Sequence, residues 1–228
     1  MKGLIRKIPF IGRWVYRKTY PKKPFPGSKK YWIARYERGR NSGEGSYSNF
    51  AEFKAEVINK FVQENNIRSV IELGCGDGNQ LTLAKYPNYI GFDVSPKAIS
   101  ICESLFSSDP AKKFFLMDDY AGQTAELTMS LDVIYHLTED AVFESYMALL
   151  FNSSSRFSII YSSNKDENLP NGAPHVKHRK FTDWVERNRP DWNILMHIPN
   201  KYPWKESSGT GSFADFYIFQ KANPTSAH

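Results

Sequence analysis

Val70-Ile71-Glu72-Leu73-Gly74-Cys75-Gly76-Asp77-Gly78-Asn79-Gln80-Leu81 decides the fold: an apolar run ending in an acid passes straight into a glycine-rich turn and then into an expected helix. The glycines let the backbone turn sharply and approach a ligand where any side chain would collide. A second apolar run, 89 to 93, ends at Asp93, fifteen residues beyond Gly78 and well placed to accept both hydroxyls of a ribose. A nucleotide-like cofactor is therefore expected between the two strand ends.

The loop is wrong for a dinucleotide. That fingerprint is G-x-G-x-x-G, whereas here the third glycine arrives one residue early and Asn79 holds the expected place. Glu72 would repel a phosphate but favour a cation, such as the ammonium and sulfonium of S-adenosylmethionine (SAM). Spacing and charge thus both disfavour an NAD-dependent oxidoreductase.

V-I-E-L-G-C-G-D-G followed by G-F-D-V-S resembles the first two motifs of the class I (Rossmann-like) SAM-dependent methyltransferases. Two later runs fit the same family: Phe114-Phe115-Leu116-Met117-Asp118-Asp119-Tyr120 resembles its third strand with the adenine-contacting acid, and Leu131-Asp132-Val133-Ile134-Tyr135-His136-Leu137 its fourth strand. The resemblance implies that Gly74, Cys75 and Gly76 line the methionine part, Asp93 and Val94 the ribose and adenine edge, and Asp118 or Asp119 the adenine amino group; Glu72, Asn79, Tyr120, Asp132 and Tyr47 complete the expected cofactor set. More loosely, Gly45-Ser46-Tyr47 through Ala51-Glu52-Phe53-Lys54-Ala55-Glu56-Val57 resembles small bacterial methyltransferases associated with cell-surface polysaccharide synthesis.

The rest of the chain supports one α/β domain. Its 228 residues, 41% hydrophobic, can bury one substantial core. Strands are expected at 68–73, 89–93, 113–117, 129–135 and 156–161, with helices after 79 and at 96–106 and 138–151; this alternation argues for a parallel sheet with helices on both faces. A helix at 180–188 and strands near 193–198 and 213–219 bring the total to seven, the last antiparallel by family likeness. The expected fold is a three-layer, Rossmann-like, seven-stranded, mostly parallel sheet with one antiparallel strand. The expected organisation is a basic arm at 1–30, a lid loop and helix at 31–66, a methyltransferase domain at 67–222 and a tail at 223–228.

Residues 1–30 hold ten Lys or Arg and no acid, so the remaining 20 basic and 24 acidic residues leave a mildly acidic body. Within the arm, Leu4, Ile8, Ile11 and Val15 face one way and Lys2, Arg6, Arg13 and Arg17 roughly the other. This basic amphipathic pattern suits an anionic membrane surface, with residues 1–27 as the contact, or else a mobile solubilising tail. Cys75 and Cys102, the only cysteines, imply neither a disulfide framework nor a zinc site. With no apolar run long enough to span a bilayer and no secretory signal, a cytoplasmic protein, peripheral at the inner membrane face, is expected.

Between the arm and the core, Asn41-Ser42-Gly43-Glu44-Gly45-Ser46 reads as a flexible loop. Such segments fold over the cofactor in enzymes of the resembled type, making Tyr47 a lid residue, followed by Arg35 and Tyr36. The helix at about 49–64 carries Phe50, Phe53, Val57, Ile58 and Phe61 along one side, a core-packing stripe.

Methyl transfer to a hydroxyl needs positioning and a base. His136, just beyond the fourth strand where an open sheet presents its ligand crevice, is the first candidate, with His175 and His178 as alternatives. Tyr135, Asn164 and Arg179 are expected to shape the acceptor pocket, Arg179 by binding an anionic group. A histidine and a leucine stand where metal-dependent O-methyltransferases place an acid, so no metal is expected. The missing N-P-P-Y signature and the lack of a basic aromatic patch disfavour nucleic acid. The expected activity is O-methylation of a glycan hydroxyl; methylation of a small metabolite or lipid-like acceptor at N or O, or a SAM-binding module without catalysis, are the alternatives.

Overall fold

The computed structural model describes residues 24–169 and 172–222. The basic arm up to residue 23 and the tail from 223 fall outside the described residues. Seven strands form one sheet: β1 (Val70–Leu73), β2 (Tyr89–Asp93), β3 (Lys112–Leu116), β4 (Ala125–Leu131), β5 (Ser154–Ser162), β6 (Trp192–Ile198) and β7 (Asp215–Lys221). Their order is β3-β2-β1-β4-β5-β7-β6, with β7 antiparallel to both β5 and β6 and the first five strands parallel. The expected Rossmann-like seven-stranded sheet is therefore present. The helices are α1 (Ser28–Glu37), α2 (Ser48–Glu64), α3 (Pro96–Leu105), α4 (Asp140–Asn152) and α5 (Phe181–Asn188).

Every residue of β1 is buried, as a central parallel strand covered on both faces requires. Its period of two divides the core: Val70 joins Leu127, Met129, Phe157 and Phe216 beneath α2, while Ile71 and Leu73 join Phe143, Met147, Phe151 and Trp184 beneath α4 and α5. α3 starts where Ser95 accepts a hydrogen bond from the Ala98 amide, with Pro96 in the first turn. The strand order reverses between β1 and β4, so the carboxyl ends of these two strands open a crevice, the place where such sheets bind ligands.

Three expectations are corrected. No α-helix follows Asn79: Gln80–Leu83 makes one 3₁₀ turn, because the ten residues between Gly78 and Tyr89 include Pro87, which disfavours helix before it. β4 ends at Leu131 rather than 135, since Asp132 turns left-handed at φ 60° and Ile134–His136 follows as a 3₁₀ turn. The expected lid at 31–66 is not loop alone ahead of the glycine-serine segment, because Ser28–Glu37 forms α1. Among the described residues no helix is long and apolar enough to cross a membrane.

Candidate active site

A cavity of about 540 Å³ opens at the crevice, within the usual range for a small-molecule site. Its floor is the glycine loop. Gly74 at φ 87° leaves room for Val133, whose Cγ2 would lie 2.5 Å from a Cβ at that position. Gly76 at φ 61° does the same for the lid, where a Cβ would meet the Ser42 hydroxyl at 2.3 Å and the Tyr36 hydroxyl at 2.9 Å. Both φ values lie where side chains are strained, so glycine is needed twice over.

Two buried acids face the cavity. Glu72 accepts a hydrogen bond from the Tyr89 hydroxyl at 2.7 Å, and burial pushes its carboxyl up to about 7 despite that bond and the nearby Lys54. Asp93 accepts from the amides of Gly76 at 3.0 Å and Ser95 at 2.9 Å; burial lifts its carboxyl to about 6 against those bonds. Perturbed acids grouped in a cleft mark a functional site. Cys75 and Val94 complete this wall. Of the two aspartates after β3, Asp118 lines the cavity, paired with Lys29 at 2.6 Å, while Asp119 does not.

The lid is α1 and the loop after it. Asp77 gathers it: Oδ2 accepts from the Ser42 amide at 2.8 Å and the Tyr47 hydroxyl at 2.9 Å, and its own amide donates to Ser42 Oγ at 3.0 Å. Tyr36, buried, bonds the same hydroxyl at 2.9 Å. Asn79 donates to the Ser46 carbonyl at 2.7 Å, so it ties lid to loop rather than lining the cavity. Tyr47 likewise acts through Asp77 and lies off the cavity wall.

His136 lines the cavity on the turn after β4. Its Nδ1 is 2.8 Å from the His175 carbonyl, an atom that only accepts, so Nδ1 carries the hydrogen and Nε2 keeps a lone pair. Burial lowers its pKa to about 4, so the ring is neutral at ordinary pH. Trp32 meets it edge-on at 4.9 Å and His175 stacks on it at 5.4 Å. Asp132, also on the wall, accepts from the Tyr135 hydroxyl at 2.8 Å and from Lys54 Nζ at 2.8 Å.

Several expected residues do other work. The Arg179 guanidinium donates to the carbonyls of Leu137 at 2.7 Å and Thr138 at 3.1 Å and to the carboxylate of Asp140 at 2.7 Å, and Arg179 does not line the cavity. His178 bonds Ser163 Oγ at 2.7 Å, and Asn164 bonds Thr182; neither lines the cavity. His175 stacks between Tyr31 and His136, outside the wall. Tyr120 packs on Phe92 and donates to the Gln123 carbonyl. Among the described residues no cluster of His, Cys, Asp or Glu is built to hold a metal.

Sequence reasoning missed Lys54, Trp32, Asp77 and Gln80. Gln80 lines the cavity with Nε2 tied to the Ala51 carbonyl and Oε1 buried without a partner among the described residues. An orphaned acceptor on the same cavity as Glu72 suits an ammonium donor, and with the glycine cradle and Asp93 the donor set fits SAM.

No protein-family model matches the chain, and no curated protein matches it by sequence. Solved structures do match. The N-methyltransferase NodS from Bradyrhizobium japonicum WM9, in complex with S-adenosyl-L-homocysteine, aligns at TM-score 0.64 over 86% of this chain and 100% of its own, with 12% identity. Magnesium protoporphyrin IX methyltransferase ChlM from Synechocystis PCC 6803, with bound SAM, aligns at 0.62 over 88% and 100%, with 15% identity. The methyltransferase domain of bacterial CtHen1 aligns at 0.59 over 75% and 97%, with 17% identity. The chain shares with these proteins the class I, Rossmann-like methyltransferase fold.

Proposed function

We propose that the chain is a SAM-dependent, metal-independent O-methyltransferase that modifies a sugar hydroxyl in a glycan or surface-polysaccharide intermediate. The observation that carries this reading is the convergence of Glu72, Gly76, Asp93 and the neutral His136 on one cavity. The neighbours' bound SAM and S-adenosyl-L-homocysteine support the cofactor.

When bound, the sulfonium supplies an electrophilic methyl. Glu72 and Gln80 hold the cationic end, Asp93 the ribose, and α1 excludes water. With the acceptor hydroxyl aligned on that methyl, His136 Nε2 would take up its proton, leaving the acceptor as an ether. A weak base suffices, because an oxygen gaining a third substituent becomes strongly acidic. Neutrality has a second use: a charged imidazole would repel the donor.

Calorimetry with SAM tests the cofactor: Asp93→Ala removes measurable binding if the reading holds. Mass spectrometry of surface glycans from cells with and without the protein tests the acceptor through a loss of 14 Da, one CH₂. For the arm we propose contact with an anionic membrane surface at its cytoplasmic face; deleting residues 1–27 then abolishes sedimentation with anionic liposomes.

A further inference from the structure

Lys54, on α2, is the charge in the fold that most needs an explanation. It is fully buried, with Nζ 2.8 Å from Asp132 Oδ2 and 5.3 Å from the centroid of the Tyr161 ring. Burying an ammonium is costly, and this one has three donors of which a single one is used among the described residues. Asp132 is held in the left-handed region at φ 60°, an arrangement that non-glycine residues adopt at a cost and that clusters at functional sites. Each of its oxygens accepts one bond, from Tyr135 and from Lys54, and keeps capacity for another. Both residues line the cavity that His136 lines, and Asp132 precedes His136 by one turn. The lid closes over them: a Cβ on Gly45 would lie 2.7 Å from Asp132 Oδ2.

A buried donor beside a largely shielded acceptor matches a group that both gives and takes a hydrogen bond. A hydroxyl does so; an ether or a methylene does not. We propose that Lys54 and Asp132 clamp the hydroxyl next to the one that is methylated, so the acceptor is a vicinal diol such as a pyranose presents. The inference rests on the methyltransferase reading above and narrows its substrate class. Lys54 donates to the second oxygen and Asp132 accepts its hydrogen, while the first hydroxyl meets His136. An acceptor without the second hydroxyl leaves a remaining Lys54 donor and the spare acceptor capacity of Asp132 unmet inside the closed site, a defect of the kind that selects by up to about 10⁴-fold.

The test uses cells producing the wild-type chain, Asp132→Asn, Lys54→Met or no copy. Deuteriomethylation of their surface glycans, followed by hydrolysis and mass spectrometry, maps each natural methyl ether and its neighbours, and calorimetry measures SAM affinity of the purified proteins. The clamp predicts a natural methyl ether beside a free hydroxyl on the same ring. It also predicts at least tenfold loss of that ether in Asp132→Asn, with SAM affinity within threefold of wild type. Asp132→Asn keeps the side-chain shape, so it reports even if Lys54→Met does not fold. A methyl ether with no free neighbouring hydroxyl, or wild-type methylation by Asp132→Asn, overturns the clamp alone. A more than tenfold loss of SAM affinity in Lys54→Met assigns that ammonium to the cofactor and also overturns it. No methylated sugar in wild-type cells overturns the parent reading and the clamp together.

Discussion

The His136 imidazole donates through Nδ1 to the His175 carbonyl 2.8 Å away, and this contact across 39 residues fixes which nitrogen keeps the lone pair. Removing the ring should leave SAM binding intact and cut turnover by roughly 10²-fold or more, the usual contribution of a placed base. His136→Ala assayed by calorimetry and by formation of S-adenosyl-L-homocysteine checks both halves; unchanged turnover retires His136.

The same residue sets the acid limit of the reaction. Burial holds its pKa near 4 against the hydrogen bond to His175, which pulls the other way. At saturating SAM, turnover should therefore stay level as pH falls from 7 to 5, with no inflection at the ordinary histidine value of about 6.5. For stability the sign follows: the unfolded chain takes up the proton below about 6.5 while the folded ring refuses it until about 4, so the ring's contribution is lost as pH falls through that window. An inflection in kcat near 6.5 that His136→Ala removes would show the ring to be solvated.

Cofactor affinity should move with pH in the opposite region. Glu72 ionises only near 7 and Asp93 near 6, both raised by burial. A cationic ligand selects the ionised acids, so SAM should bind more tightly as pH rises from 5 to 8, by up to about tenfold per unit for each coupled proton. The ligand-free protein behaves inversely: its raised carboxyls contribute stability that is full below the unfolded values and is lost as pH rises through 6 to 7. Titration calorimetry at four pH values, with thermal melts of the free protein alongside, reads both slopes. The neutral thioether of S-adenosyl-L-homocysteine should show the weaker dependence.

Gly76 is where cofactor loop and lid compete for space. A methyl at this position meets Ser42 Oγ and Tyr36 Oη, both bound into the Asp77 network, and also inherits a φ of 61°. Gly76→Ala should lower Tm by several degrees, given about 1–3 kcal/mol of backbone strain plus displacement of the lid. It should also expose the 38–47 segment to proteolysis and weaken SAM binding. A variant with wild-type Tm and protection would mean that the lid does not bear on the loop.

The site was readable in the sequence where its chemistry is local. Glu72, Gly74, Gly76 and Asp93 declare themselves by lying at strand ends, and the structure brings them onto one cavity. Lys54 was hidden because it sits one residue after Phe53 on a helix whose stripe reads as core, and its partner Asp132 is 78 residues away. Asp77 and Trp32 were missed for the same reason, since their partners lie across the lid. The short turn after Asn79 shows a second limit: the strand and glycine turn suggest a helix next, but Pro87 and ten intervening residues leave room for one 3₁₀ turn.

Arg179 separates pocket from scaffold. Its guanidinium ties the residues just before α4, through Leu137 and Thr138, to Asp140 in the first helical turn, and stacks 4.5 Å from the Phe143 ring. Arg179→Ala frees two backbone carbonyls at the rim of the cavity wall and removes the charge that, with Lys177, holds the Asp140 carboxyl down near 2. Because the lost bonds are internal, the substitution should lower Tm and, at a temperature where the protein stays folded, leave the acceptor KM within about twofold. A guanidinium that bound an anionic acceptor would give the reverse, a KM raised tenfold or more on a protein of unchanged Tm, since charge-assisted bonds of this kind contribute about 1.5–3 kcal/mol. Arg179→Lys sharpens the contrast: a lysine point charge keeps attraction for an anion but cannot span two carbonyls and a carboxylate in one plane, so Tm should fall nearly as far as in the alanine variant.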